Sequence, residues 1–384
     1  MSPEFAFILS CASLSFLPQL RARAAELAAG PLDWAEVARL ALRHGLAPLL
    51  YSNLAQFGLT VPQTTEAALI TYAQHNAVQT SRLTYELTDL MQTLAAQGLP
   101  VLAYKGPLLA YALYGDTNLR QYNDLDLLID VAEVPRASRL LQERGYQNLH
   151  PGNTQYERRF IQKDCEYTFF WPEQHIYLDL HWNFVPRYFA LRLDIPGFWQ
   201  RAQMVRLEDR EVLGLSAEDT LLMLSINAAK DFWSRLLALC DIAAVAQQTP
   251  ALDWPALWVR ANAARAQRML GLSLWLARDL LELPLPPFVE GQLAADTALP
   301  GLAAAVKELL FVTPLTPMEV NTFLLPAQAL PSRLARWEFY LRLAAEPSPE
   351  DWEFVELPLR LEFLYYLTRP LRLARKYVFA HRPA

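Results

Sequence analysis

Residues 100–130 read PVLAYKGPLLAYALYGDTNLRQYNDLDLLID, and the reading of this stretch decides the fold. Val101–Tyr104 predicts a short apolar strand. Lys105-Gly106 predicts a turn, and Pro107 opens a helix in the first-turn position where a missing N–H costs nothing. A loop carrying Arg120 follows, and then a second strand over Asp124–Val131. Side chains alternate faces along a strand, so Asp124 and Asp126 point the same way. Their neighbours Leu125, Leu127, Leu128 and Ile129 are apolar, so the strand is expected to be buried with its acidic end at a sheet edge. Two like charges on one face are unfavourable unless something positive sits between them. A divalent cation, which prefers carboxylate oxygens, answers that need.

Downstream, Glu133–Arg144 predicts a helix ended by Gly145. Cys165–Trp171 and His175–Trp182 alternate around Pro172-Glu173-Gln174, which is a hairpin pattern. On its second strand Asp179 and His181 share one face while Leu178 and Leu180 take the other. Met204–Leu207 and Glu211–Leu215 form a further expected strand pair. Ser216 with Asp219 three residues later resembles a capping box, and helices are expected over Ala217–Phe232, Arg235–Gln248, Trp254–Leu283 and Leu302–Phe311. Upstream, residues 1–98 read as all helical. Asp33 is a natural N-cap, Leu46–Phe57 a short helix, and Thr64–Gln97 one long helix without Pro or Gly. The expectation is an α+β protein: a helical region over 1–98, a small mixed-sheet core over 99–215, and a helical region over 216–384.

The 384 residues are 53% hydrophobic, which is enough for a sizeable core and argues against global disorder. The net charge of −6 is spread along the chain, and no polybasic run suggests a nucleic-acid surface. Cys11, Cys165 and Cys240 are too far apart for metal-ligand spacing and suit a reducing compartment, so a cytoplasmic location is expected. The apolar run Phe5–Phe16 follows Glu4 without a basic stretch and reads as a packed helix, not a signal peptide. No uncharged apolar run reaches the roughly 18–20 residues of a membrane span. The basic run Arg369–Lys376 reads as a solvated helix face, with peripheral contact to an anionic membrane as the second reading.

Lys105-Gly106, Arg120, Asp124-Leu125-Asp126-Leu127-Leu128 and Asp179 within YLDLHW (177–182) form an ordered set. It resembles the signature of the uncharacterised bacterial nucleotidyltransferase family, part of the DNA polymerase β-like nucleotidyltransferase superfamily. The resemblance covers about residues 98–245. It implies a glycine turn for a triphosphate, an Asp-x-Asp strand for Mg2+, and a third carboxylate from a later strand, here Asp179. In those terms Asp124, Asp126 and Asp179 are the catalytic and metal-binding acids, and Lys105, Gly106 and Arg120 hold the phosphates. The implied reaction is transfer of AMP from ATP to a small-molecule or protein acceptor, two metals stabilising the attacking and leaving oxygens. Gly106-Pro107 departs from the superfamily's Gly-Ser or Gly-Gly turn, and Asn227 and Asp231 stand where the family often carries histidines. These departures support a second reading, an inactive nucleotide-binding or scaffold protein of the same fold. His181 reads more readily as a core or rim histidine than as a ligand, and Asp241 equally as a partner of Arg235 or a site residue.

Overall fold

Seven strands form one mixed sheet in the computed structural model, which describes residues 1–12, 18–150, 154–311, 324–346, 351, 355 and 359–374. In chain order they are β1 (Leu102–Ala103), β2 (Asp124–Leu128), β3 (Gln147–Asn148), β4 (Glu166–Trp171), β5 (Ile176–His181), β6 (Gln203–Leu207) and β7 (Arg210–Gly214). Their order across the sheet is β3-β4-β5-β2-β1-β7-β6. β2 runs parallel to β5 and antiparallel to β1, and β1 runs parallel to β7. The protein is therefore α+β, with both expected hairpins present: β4 with β5, and β6 with β7.

Five helices precede the sheet: α1 (Pro3–Cys11), α2 (Pro18–Ala28), α3 (Trp34–Arg43), α4 (Ala47–Phe57) and α5 (Gln63–Ala96). The Asp33 carboxylate accepts from the Ala35 and Glu36 amides and so caps α3. Phe5, Phe7 and Ile8 of α1 are buried, as expected of a packed helix, while residues 13–16 of that apolar run lie outside the described residues. α6 (Gly106–Tyr114) joins β1 to β2. α7 (Val134–Glu143) and α8 (Thr154–Lys163) flank β3, and α9 (Ile195–Arg201) precedes β6.

The last strand leads into α10 (Ala217–Lys230), where Ser216 Oγ accepts from the Asp219 amide at 3.2 Å. Next come α11 (Leu236–Gln248), α12 (Trp254–Ala263), α13 (Gln267–Leu281), α14 (Pro287–Ala295) and α15 (Leu299–Phe311). The single helix expected over Trp254–Leu283 is thus two. Arg265 takes a left-handed φ of 61°, and the Ala266 amide returns to the Ala261 carbonyl at 2.7 Å. That is the pattern of a Schellman ending, built without glycine. The Arg265 guanidinium reaches Glu338 at 2.6 Å and the Ala190 carbonyl at 3.2 Å, so tertiary contacts hold the break. α14 was not foreseen at all.

α16 (Leu325–Gln328), α17 (Arg333–Ala345) and α18 (Tyr365–Ala374) follow. The basic run expected to be solvated is partly turned inward. Arg369 donates to Asp351 at 2.8 Å, and the buried Arg372 pairs with the same carboxylate. Arg375 and Lys376 lie outside the described residues, as does much of the Pro- and aromatic-rich stretch 313–384. No described helix is long and apolar enough to cross a membrane. Cys11, Cys165 and Cys240 are free and buried.

Each face of the sheet carries its own core. On one, Leu125, Leu127, Leu178 and Leu180 meet Leu83, Leu87, Leu90 and Leu94, the helical stripe on the C-terminal half of α5. On the other, Leu102, Tyr104 and Leu128 join the helices before the sheet and those after it. The charged ends of β2 and β5 open on this second face, beside α10 and α11.

Candidate active site

The parallel register of β2 and β5 sets Asp124 opposite Tyr177, Asp126 opposite Asp179 and Leu128 opposite His181. Because side chains alternate, Asp124, Asp126, Asp179 and His181 lie on one face. Asp126, Asp179 and His181 each place one ligand atom within 4.8 Å of the others, a group able to hold a metal ion. Asp124 is not in that group; it stands one repeat nearer the start of β2 and lines the adjoining cleft. One oxygen of Asp179, Oδ1, is buried without a hydrogen-bond partner among the described residues. An orphaned carboxylate oxygen beside a second carboxylate fits a hard cation such as magnesium.

His181 bridges two acids. Its Nε2 lies 3.1 Å from Asp126 Oδ1, and its Nδ1 lies 3.0 Å from Glu166 Oε2, near enough for an ion pair but without hydrogen-bond alignment. Lys105 Nζ is 3.2 Å from Asp126 Oδ1, and Lys230 Nζ is 3.6 Å from Glu166 Oε2. Glu166 is opposite His181 across the β4–β5 pair, so the hairpin register delivers it to the same face.

These contacts set the charges. Burial alone would raise the Asp126 carboxyl, but Lys105 and His181 hold it well below the usual carboxylate range. Burial, with Asp126 next to it, pushes Asp124 up to about 6. Burial, then Asp126 and Glu166, also raises Asp179. Burial alone would lower His181; the Asp126 and Glu166 carboxylates on either side of the ring raise it to about 9 instead. Glu166 is brought to about 2 by His181 and Lys230 against the opposing effect of burial. One acid is thus ionised by internal cations while its two neighbours are held back, which is the charge state of a site short of positive charge.

A cleft of about 230 Å3 opens from this cluster, walled by the β1–α6 turn, the loop before β2, α10 and the start of α11. Gly106 is the first residue of α6 with φ 54°, and a Cβ there would sit 3.2 Å from the Asp124 carbonyl oxygen. Only glycine accepts both the dihedral and the approach. No side chain among the described residues caps α6. Arg120 also lines the cleft, but its guanidinium is engaged elsewhere: Nε and Nη2 lie 3.0 and 2.9 Å from Asp241 Oδ2. The Tyr114 hydroxyl donates to the same carboxylate at 2.8 Å. Asp241 therefore belongs to Arg120 and not to Arg235. Arg235 is exposed at the cleft and makes no ion pair among the described residues.

A family model described as an uncharacterised nucleotidyltransferase matches residues 30–282. The chain belongs to that family. The matched span runs from just before α3 to just past α13, and so takes in the whole sheet and the helices that wall the cleft. The nucleotidyltransferase has no match among curated proteins. Of the expected site residues, its structure brings Asp126 and Asp179 together, sets Asp124 and Lys105 beside them, puts Gly106 in the cleft wall, and ties Arg120 to Asp241. Two members were missed. Glu166 meets His181 because His175 joins the turn and shifts the β4–β5 register one residue from that of a Pro172–Gln174 turn. Lys230 arrives from α10 by tertiary packing, and no local pattern announces it.

Proposed function

We propose that the nucleotidyltransferase transfers AMP from ATP to a hydroxyl or amine acceptor with the help of magnesium. The observation that supports this reading is the rung formed by Asp126 and Asp179, with His181 within 4.8 Å of both and Asp179 Oδ1 unanswered. Asp126 and Asp179, with Asp124 one repeat away, are the residues to hold the ion. Bound there, magnesium supplies charge stabilisation at the α-phosphate and at the acceptor oxygen.

The chain's own groups do the rest. His181 pins the Asp126 carboxylate through Nε2 and is itself steadied by Glu166. Lys105 neutralises charge at the mouth of the cleft and can turn from Asp126 to a phosphate, because its side chain is partly exposed. Arg235, exposed in the cleft and without an ion pair among the described residues, is the second phosphate cation. Arg120 positions the cleft floor by clamping Asp241. Asp179 orients the acceptor atom, which gives its proton to solvent as it bonds to the α-phosphorus and pyrophosphate leaves.

The test is product analysis with ATP and magnesium across a panel of acceptors. Pyrophosphate release that disappears in Asp126→Asn supports the reading; ADP release points to phosphoryl transfer instead. Absence of magnesium-dependent nucleotide binding in the intact protein favours the inactive scaffold.

A further inference from the structure

We infer that Gln121 and Asn227 read the edge of the nucleobase, and that the base they select is adenine. The inference rests on the nucleotidyl-transfer reading and adds the part of the site that recognises the base. Lys105, Asp124 and Asp126 line the cleft from the β1–α6 turn and β2, whereas Leu224, Ala228 and Leu237 add apolar surface, suited to the face of a ring, to a wall at α10 and α11 that also carries Arg235 and Asp241.

Gln121 and Asn227 line the same cleft. Gln121 Oε1 and Asn227 Nδ2 are both buried without a hydrogen-bond partner among the described residues. Native proteins rarely leave such groups unanswered, so two in one cleft wall point to a ligand that answers them. One is an acceptor and the other a donor, and a terminal amide presents one of each in either orientation. Neither atom is held by a protein hydrogen bond, so each amide can turn to a ligand without breaking one.

Adenine offers the matching edge: its exocyclic amine donates and the ring nitrogens beside it accept, the pattern that Asn and Gln amides recognise. Guanine presents adjacent donors on its Watson–Crick edge and is best met by a carboxylate. Among the acids of this cleft, Asp241 is held by Arg120 and Tyr114, Asp124 and Asp126 stand with Lys105 at the acidic strand, and Asp231 is exposed.

The experiment is calorimetric titration of the full chain with ATP and with GTP, each with magnesium. ATP is expected to bind at least about tenfold more tightly than GTP, the discrimination expected of a bidentate amide contact. Asn227→Ala and Gln121→Ala should each lose most of that preference while keeping the wild-type thermal midpoint. Asn227→Asp should move the preference toward GTP. Equal affinity for ATP and GTP in the wild type, or variants that weaken both nucleotides alike, overturns the inference and leaves the transfer reading standing. Failure of both nucleotides to bind overturns the two together.

Discussion

Asp126 faces Asp179 on one rung between parallel strands, and the two side chains leave the sheet on the same side. Their proximity is unfavourable in isolation, and the protein manages it by placing Lys105 and His181 on Asp126 while leaving Asp179 with an unanswered oxygen. In the proposed reading, stability and function therefore pull against each other at Asp179. Asp179→Asn removes a carboxylate that burial and two neighbouring acids already hold toward its neutral form. The metal-free variant is expected to melt no lower than the wild type, and its transfer activity to fall by more than the about 10–100-fold that loss of an outer partner of a metal ligand costs. Thermal denaturation with and without magnesium checks both halves: the metal should raise the midpoint of the wild type and leave that of the variant unmoved.

Arg120 and Arg235 line one cleft and should behave oppositely. Arg120 is nearly buried and paired with Asp241, whose side chain is 1% exposed. Removing one partner of such a pair costs about 3–5 kcal/mol, because the other charge is left stranded. Arg120→Ala is expected to lower the urea midpoint strongly, with Asp241→Asn giving a loss that does not add to it. Arg235→Ala should leave the midpoint in place and weaken binding of magnesium-ATP. A double-mutant cycle on the buried pair, run beside nucleotide titrations, separates scaffold from phosphate contact. Unchanged stability in Arg120→Ala would show that the clamp has been misjudged.

Much of this arrangement could be read from the chain, for a definite reason. A period of two puts Asp124 with Asp126 and Asp179 with His181 on common faces regardless of which strands are neighbours. The β4–β5 register escapes that pattern: a three-residue Pro172–Gln174 turn would set Glu166 against Leu180, but His175, at φ 50°, joins the turn and brings Glu166 opposite His181. What local pattern does not carry is adjacency between distant segments. Arg120 meets Asp241 across more than a hundred residues, and the same carboxylate could equally have served Arg235, six residues before it in the same helical segment. The break at Arg265 was unreadable for a related reason: its ending motif carries no glycine, and the contacts that stabilise it come from Glu338 and Ala190.

Gly106 is expected to tolerate no side chain. Alanine at φ 54° meets the left-handed penalty of roughly 1–2 kcal/mol and adds a Cβ 3.2 Å from the Asp124 carbonyl. Because that carbonyl belongs to the acidic strand, the strain should displace Asp124 as well. Gly106→Ala is predicted to lose about that much stability by urea titration and to weaken magnesium-ATP binding besides. Wild-type stability in the variant would mean that the turn relaxes and that glycine is not required there.

His44 predicts how stability depends on pH. It is fully buried at the end of α3, its Nδ1 accepts from the Leu236 amide at 3.4 Å, and its carbonyl accepts from the Leu237 amide at 3.2 Å. It therefore caps α11, the helix that bears Asp241, and it can do so through Nδ1 only while neutral. Burial, reinforced by Arg43 and Arg235, lowers its pKa from 6.5 to about 4. Since the folded value lies below the unfolded one, the unfolded chain takes up the proton first. The contribution is complete above pH 6.5 and is lost as pH falls toward 4, by on the order of 3 kcal/mol. Asp124, raised from 3.8 to about 6, titrates in the same window with the opposite sign, since its folded form holds a proton more readily than its unfolded form. The comparison must therefore be made between the wild type and His44→Asn, which keeps an acceptor near Nδ1 but cannot titrate. The stability gap between them, measured by urea titration at steps from pH 7.5 to 4, should shrink steadily below pH 6.5. A gap that stays constant across the window would show that His44 does not carry the effect.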